Sequence, residues 1–145
     1  MDQDLKKKLT RNWFISLQEM ICKEIDQIEG EKVKFLKKTW KRNKKKDEGG
    51  GFYYILENGK VFDKVGVNFS EVYGKLSKDF IKKIPGTKNN KEFWASGISV
   101  VMHMKNPLIP AMHFNTRYIC TTKDWFGGGI DVTPSKIDNN EKKEF

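Results

Sequence analysis

The stretch that most constrains the fold is residues 97–134, in which apolar and polar side chains alternate. Successive side chains on a β-strand point to opposite faces of its sheet. Within 111–120 one face is largely apolar, and the other carries His113, Asn115 and Arg117. These side chains offer a proton carrier, a hydrogen-bonding amide and an anion-binding guanidinium. The pattern predicts a strand with one buried face and one functional face.

The segment before it, residues 93–103, shows the same alternation, with large apolar side chains at even positions and small or polar ones at odd positions. Small side chains leave room above a sheet, where a ligand can sit. The link 104–110 contains Asn-Pro and a second proline, which favour a turn. We therefore predict a hairpin-like pair of strands. Its register does not follow from the sequence, so whether Ser99 and His103 share a face with His113 stays open.

Three consecutive glycines, residues 127–129, stand just before Asp131. Ordering a glycine costs more conformational entropy than ordering any other residue, so such a run is expected where the backbone has positive φ or approaches something closely. We predict a tight turn at 127–129 that fixes the Asp131 carboxylate beside it.

The N-terminal segment repeats an apolar residue every fourth position, which predicts a long amphipathic helix ending near Gly30 and packing on a sheet. Phe14 and Ile28 widen the stripe. The repeating residues are Leu5, Leu9, Trp13, Leu17, Ile21 and Ile25.

Between this helix and residue 93 the pattern favours short strands. Residues 32–46 are strongly basic and are interpreted as a solvated loop, with an anion or nucleic-acid contact as the alternative. Asn58-Gly59 is a strong hairpin signal between a strand at 52–56 and one at 61–72, with Gly66 as a bulge. A short helix begins near residue 77 and is stopped by Pro85. The predicted class is α+β, an antiparallel sheet flanked by helices.

Length and composition set limits on the whole chain. At 145 residues one domain is expected, and 28 Lys and Arg against 19 Asp and Glu give a net charge of +9. No apolar run is long enough to span a bilayer, and the N-terminus lacks the apolar stretch of a signal peptide. Cys22 and Cys120 lack metal or redox spacing and are expected to be reduced thiols in the cytoplasm. A mitochondrial or plastid location stays open if a leader is missing.

Several separated motifs occur together and in order. They are EGGG at 48–51, NGKVFDKVGVN at 58–68, GISVVMHMKNPLIPAMHFNTRY at 97–118 and WFGGGIDVTP at 125–134. Over roughly residues 8–134 this set resembles the signature of the oxygen-dependent coproporphyrinogen-III oxidase family, and several motifs in the right order are far more specific than one.

The resemblance implies a large flat antiparallel sheet between helical layers, assembled as a homodimer. Family members are about twice as long as this chain. We therefore expect residues 1–134 to be the N-terminal part of the domain, with an incomplete sheet, and 135–145 to be a polar, disordered tail. We expect the chain to be a fragment that is weakly active or inactive in isolation.

The implied activity is oxidative decarboxylation of coproporphyrinogen III to protoporphyrinogen IX, with molecular oxygen as co-substrate and no other cofactor. The resemblance assigns roles to the residues at matching motif positions. It implies that His113 is the proton donor, that Arg117 anchors a propionate and that Asp131 faces the pyrrole nitrogens. The implied substrate-binding positions are Ser99, Asn115, Thr116 (through its backbone), Arg117, Gly128 and Gly129.

Two alternatives remain beside this interpretation. His103 and His113 could ligate a metal from paired strands, although the resemblance implies a metal-independent enzyme. Met104 stands where the family usually has proline, so the local turn could differ. The rival from another class is a non-catalytic module that binds anions or nucleic acid through its lysines. Joint presence of His113, Asn115, Arg117 and Asp131 argues against that rival, and no nucleic-acid partner is expected.

Overall fold

The two alternating segments at the centre of the sequence form neighbouring strands of one antiparallel sheet. The computed structural model describes residues 2–81, 83–88 and 90–134. Its six strands are hydrogen-bonded in the order in which they occur along the chain. The elements are α1 (Gln3–Glu29), β1 (Leu36–Lys41), β2 (Gly49–Glu57), β3 (Phe62–Lys75), α2 (Lys78–Ile81), β4 (Glu92–Met104), β5 (Ala111–Cys120) and β6 (Asp124–Thr133). The predicted α+β class with an antiparallel sheet is confirmed.

Helix α1 ends where predicted, because Gly30 adopts a left-handed conformation with φ 73° and donates its N–H to the Gln27 carbonyl. The predicted apolar stripe is wrong in its N-terminal half, since Leu5, Leu9 and Trp13 are each about half exposed. An α-helix has 3.6 residues per turn, so a strict four-residue repeat drifts by about 40° per step around the axis. The line that faces the sheet consists of Thr10, Phe14, Gln18, Ile25 and Glu29.

The core lies between α1 and the middle of the sheet. Helix α1 packs on β3 and β4, whose buried side chains alternate with exposed or half-buried ones. Gln18 is buried in this layer, and its side-chain amide donates to the Val67 carbonyl at 2.8 Å. The buried apolar residues on the sheet side include Leu56, Val65, Val67, Phe69, Ile98, Val100 and Tyr118.

The buried carboxylate of Glu29 joins the end of α1 to the β2–β3 hairpin. It accepts hydrogen bonds from the backbone N–H groups of Lys60, Val61 and Phe62 at 2.5, 3.1 and 2.8 Å. Burial alone would raise the pKa of Glu29, but these three donors outweigh it and hold the pKa below its ordinary value of 4.5. The predicted hairpin is present, and Asn58 in its turn has φ 58°. Gly59 does not have positive φ, so the turn is not the two-residue type that Asn-Gly favours.

The start of α1 is tied to the turn between β5 and β6. Lys6 Nζ lies 2.6 Å from Asp124 Oδ2, and the buried Tyr118 hydroxyl donates to the same carboxylate. The bonds from Lys6 and Tyr118 lower the pKa of Asp124, while burial and the Asp124 contact raise the pKa of Tyr118. The two ends of the helix are therefore fastened to opposite ends of the sheet.

Two local predictions about glycines were wrong. Gly66 lies within one continuous strand, β3, and the only irregularity in the β3–β4 register lies between Phe62 and Lys64. Residues 127–129 form part of β6 and have no positive φ, so the predicted turn beside Asp131 is absent from the described chain. A Cβ on Gly128 would meet the backbone of Asn115. This position therefore requires glycine because β5 lies too close to admit a side chain.

Part of the basic segment interpreted as a loop is strand β1. Most of its residues are exposed, and it pairs with β2 alone among the described strands. Lysines on an exposed edge strand discourage pairing with other chains, which accounts for a strand of such polar composition. The short helix predicted before Pro85 is present as α2, and the turn at 105–110 joins β4 to β5 as expected.

No helix in the described ranges is both long and apolar enough to cross a membrane. The tail at 135–145 lies outside the described residues, and the expectation about it stays a prediction.

Candidate active site

The face of the sheet opposite α1, which we call the open face, carries the polar positions of β4, β5 and β6. Antiparallel register puts directly opposed residues on the same face. Ser99 is opposite Asn115, and Val101 is opposite His113. The question left open by the sequence is thereby answered, because Ser99 and His103 share the open face with His113.

A row of polar and small residues crosses the middle of the open face. Asn68 on β3 is opposite Ser99, which is opposite Asn115, which is opposite Gly129 on β6. Ser99 is exposed, while Asn68 and Asn115 are half-buried. The row offers two amides and a hydroxyl to one ligand surface.

A second row places Arg117 between two glycines. Gly97 on β4 and Gly127 on β6 lie opposite it, and neither has a side chain to cover the guanidinium. Arg117 Nη2 donates to Asn115 Oδ1 at 2.7 Å. This bond occupies the amide oxygen of Asn115. The NH₂ group of Asn115 lies toward Gly129 and is available to donate to a ligand.

These two rows border a shallow groove of about 380 Å³. Arg117 is exposed in it, with its remaining guanidinium N–H groups available to an anion. A carboxylate in this groove can therefore receive bonds from Arg117, the NH₂ of Asn115 and the Ser99 hydroxyl. Ser70, Gly97, Ser99, Asn115 and Arg117 line the groove with their neighbours.

A third row brings His113 and Asp131 together. They are directly opposed on β5 and β6, and Nδ1 of His113 lies 3.7 Å from Oδ2 of Asp131. That separation is too long for a hydrogen bond, but it places a carboxylate oxygen directly beside the imidazole ring. The same carboxylate oxygen accepts a 2.6 Å bond from the Thr133 hydroxyl. The contacts that position Asp131 thus come from side chains rather than from the glycine run.

The second histidine lies nearby on the same face. The ring centroids of His103 and His113 are 6.0 Å apart. Within the described residues, no group of three or more His, Cys, Asp or Glu side chains is arranged to hold a metal ion. The metal-ligand alternative for this pair stays a prediction.

Two of the expected substrate-binding positions lie off the open face. Thr116 is opposite Ile98 on one side and Gly128 on the other, and Ile98 faces α1 in the core. Contact of Thr116 with a ligand in the groove is therefore possible only through its backbone, as expected from the resemblance. Gly128 likewise offers only backbone, whereas Gly129 lies in the central polar row.

Sequence reasoning missed Trp40 and Asn68, which also lie on the open face. Trp40 Nε1 donates to Asn68 Oδ1 at 3.0 Å. The alternation in β3, with Gly66, Asn68 and Ser70 on one face against apolar residues on the other, was the available signal for Asn68. Trp40 could not be assigned to a face because β1 was not predicted.

The lysine run lies away from this site. The turn between β1 and β2 borders a depression of about 540 Å³ on the α1 side of the sheet. Arg11 in this depression is paired with Glu71 at 2.7 Å, and Tyr73 donates to Asp47 at 2.6 Å. The free positive charge is therefore concentrated on the lysines, which are Lys41, Lys44, Lys45 and Lys46.

The chain matches the family model described as coproporphyrinogen III oxidase over residues 9–145. It is 48% identical over 147 residues to proteins named oxygen-dependent coproporphyrinogen-III oxidase in Rickettsia africae (strain ESF-5), Rickettsia rickettsii (strain Sheila Smith) and Rickettsia akari (strain Hartford). Each match covers 96% of this chain and 51% of the relative, so the chain spans about half the length of these relatives.

The family match extends over nearly the whole sequence and includes all three rows of the open face. This chain belongs to the coproporphyrinogen III oxidase family.

Proposed function

We propose that this chain contributes the open face as one wall of the active site of an oxygen-dependent coproporphyrinogen III oxidase. The observation that carries the proposal is the meeting of an anion-binding group, Arg117, with a histidine–carboxylate pair, His113 and Asp131, on one exposed surface of adjacent strands. The names of the Rickettsia relatives support the same activity. The substrate, a macrocycle with four propionates, suits a surface rich in hydrogen-bond donors.

In the proposed reaction a propionate side chain loses carbon dioxide and the equivalent of a hydride, which leaves a vinyl group. Molecular oxygen accepts the two electrons and is reduced to hydrogen peroxide with a proton from a nearby donor. Arg117 anchors a propionate, with Ser99 and Asn115 orienting the macrocycle. Asp131 faces the pyrrole N–H groups, and His113 beside it is the proton donor.

The relatives are named oxygen-dependent, which supports oxygen as the electron acceptor. We propose that no organic cofactor takes part. We further propose that the reaction takes place in the cytoplasm and that the full-length protein acts as a homodimer. The second half of the relatives' length would then supply a cover for the open face.

The test is aerobic turnover of coproporphyrinogen III, with the product oxidised and detected by porphyrin fluorescence. Three proteins are compared: the chain alone, the chain joined to the second half of the Rickettsia rickettsii relative, and the joined form with Arg117→Ala. We expect the joined form to turn over and Arg117→Ala to lower kcat/KM by at least about tenfold, because charge-assisted hydrogen bonds contribute about 1.5–3 kcal/mol.

Lys123→Ala is the matched control, since it removes one exposed positive charge from the turn between β5 and β6 rather than from the groove. Equal activity in the Arg117→Ala and Lys123→Ala forms would contradict the assigned role of Arg117. Absence of turnover in the joined form would contradict the proposed activity.

The rival function, nucleic-acid or anion binding through the lysines, has its own measurement. The affinity of the chain for RNA and DNA is followed as salt is raised, and a steep slope with nanomolar affinity would favour the rival. We expect weak binding, because the lysine-bordered depression carries no stacked array of exposed aromatic side chains in the part of the chain described.

A further inference from the structure

We propose that Asn68 is an additional carboxylate-binding residue of the open face and that Trp40 holds it in the binding orientation. The inference rests on the proposed function and deepens it, because it adds a second anchoring point for the tetracarboxylate substrate. Asn68 lies on β3, next to the strand that carries Ser99, and Trp40 lies on β1, two strands from β3.

The orientation of the Asn68 amide is fixed by its partner. An indole N–H can only donate a hydrogen bond, so the Asn68 atom 3.0 Å from Trp40 Nε1 must be the oxygen. The NH₂ group of Asn68 then points elsewhere, and it donates no hydrogen bond within the described residues. A half-buried amide with its oxygen occupied and its nitrogen available is arranged to donate to an acceptor from outside.

Trp40 is itself held close to this position. The indole lies across Gly51, the residue opposite it on β2, because a Cβ built on Gly51 would come within 3.0 Å of Trp40 Nε1. The same Cβ would meet the backbone carbonyl of Phe69 on β3 even more closely, so Gly51 lies between the β3 backbone and the indole. Trp40 is a positioning residue, because its N–H holds the Asn68 oxygen.

Asn115 shows the same arrangement at the other end of the central row. Its oxygen accepts from Arg117, and its NH₂ group is left to donate. The two amides therefore present the same group to the same face, one oriented by an indole and the other by a guanidinium. Ser99, directly opposite both of them, adds a hydroxyl between the two.

The spacing suits two carboxylates of one molecule. Asn68 and Asn115 are two strands apart, which is about 10 Å in a β-sheet. The surface between them is formed by small side chains, so a flat macrocycle meets little obstruction. With Arg117 binding one propionate, a propionate on another ring of the same macrocycle reaches the Asn68 amide.

The test measures binding of coproporphyrin III, the oxidised tetracarboxylate that is not turned over, to the purified chain. Porphyrin fluorescence anisotropy reports binding without relying on the tryptophans. The variants are Asn68→Asp, which keeps the shape but replaces the amide donor by a carboxylate, Asn68→Ala and Trp40→Phe. The control is Asn12→Asp. It makes the same change of charge at an exposed position of α1, away from the open face.

We expect Asn68→Asp to weaken binding by more than about tenfold, because a charge-assisted donor is lost and a like charge is added. Asn68→Ala should weaken it by several fold. Trp40→Phe should have a smaller effect that disappears in the Asn68→Ala background, since Trp40 acts only through that amide. Asn12→Asp should bind as the unchanged chain does.

Unchanged affinity in both Asn68 variants, with circular dichroism showing that they are folded, would overturn the inference. So would an unchanged chain that binds no coproporphyrin III, because the described face would then not hold the ligand. Arg117→Ala separates the two proposals. If it abolishes binding while Asn68→Asp does not, the proposed function stands and the role of Asn68 fails.

Discussion

Individual side chains in this protein act mainly by fixing the orientation of a neighbour. Arg117 uses one N–H to fix the Asn115 amide, and Trp40 does the same for Asn68. Glu29 fixes backbone rather than a side chain. Its carboxylate accepts hydrogen bonds from three consecutive backbone N–H groups of the β2–β3 hairpin. Sequence alone could predict Arg117 and Asn115 as candidate site residues. The hydrogen bond between them depends on side-chain rotamers, which no sequence pattern encodes.

Replacement of Glu29 by glutamine should lower the free energy of unfolding by about 1–3 kcal/mol at neutral pH, because a buried charged acceptor of three hydrogen bonds is lost. The pKa of Glu29 is held below 4.5 in the folded chain. Its stabilising contribution is therefore full above pH 4.5 and is lost as the pH falls through the lower folded-state value. Urea unfolding across this range measures it.

Glu19→Gln is the control for Glu29→Gln, since Glu19 is exposed on the same helix. We expect its unfolding free energy to follow that of the unchanged chain at each pH. A difference between Glu29→Gln and the unchanged chain that did not diminish in acid would show that the carboxylate charge is not what stabilises the hairpin.

The elements differ in how well their sequences predict them. Strand β5 was predictable because one of its faces is half-buried to buried, which favours alternation of apolar and polar residues over 111–120. Strand β1 was not, because an exposed edge strand needs no apolar face. The phase of α1 was misassigned because a four-residue repeat drifts around the helix. The candidate site was therefore predictable on β4 and β5, while its extension to β3 and β1 required the register.

The two glycines opposite Arg117 should respond differently to alanine. A Cβ on Gly97 would lie 3.0 Å from the Cα of Arg117, whereas a Cβ on Gly127 would meet nothing within 4 Å. We expect Gly97→Ala to lower the free energy of unfolding by about 1–3 kcal/mol through crowding of β4 against β5. Gly127→Ala should leave it unchanged or raise it by up to about 1 kcal/mol.

Urea unfolding of the two alanine variants side by side provides the comparison, and each serves as the other's control. Equal free energies of unfolding would mean that the strands separate enough to admit the methyl group, and the close approach would not be what Gly97 is needed for.

Among the described residues, apolar side chains are exposed at the β6 edge of the sheet. Ile130 and Phe126 on β6 are 72% and 64% exposed, and among the described strands β6 pairs only with β5. Half-exposed apolar side chains also line α1, from Leu5 to Trp13. Such surface next to an unpaired strand edge favours association with another chain or segment.

Ile130→Lys should reduce concentration-dependent association of the chain, because it puts a charge on the apolar face of β6. Sedimentation velocity over a range of protein concentrations measures this. Leu108→Lys is the control, since Leu108 is 62% exposed in the turn between β4 and β5. If both variants associate as the unchanged chain does, this face is not the one through which the chain self-associates.

The strand order also sets a sequence of assembly during synthesis. Each strand pairs with the one made just before it, so hairpins can form as the chain emerges, while α1 must wait for β3 and β4 before it can bury Phe14. Strand β6 is the last of the described strands to join. His113 therefore meets Asp131 only when β6 pairs with β5, and a nascent chain that ends before β6 contains the imidazole without the carboxylate that faces it.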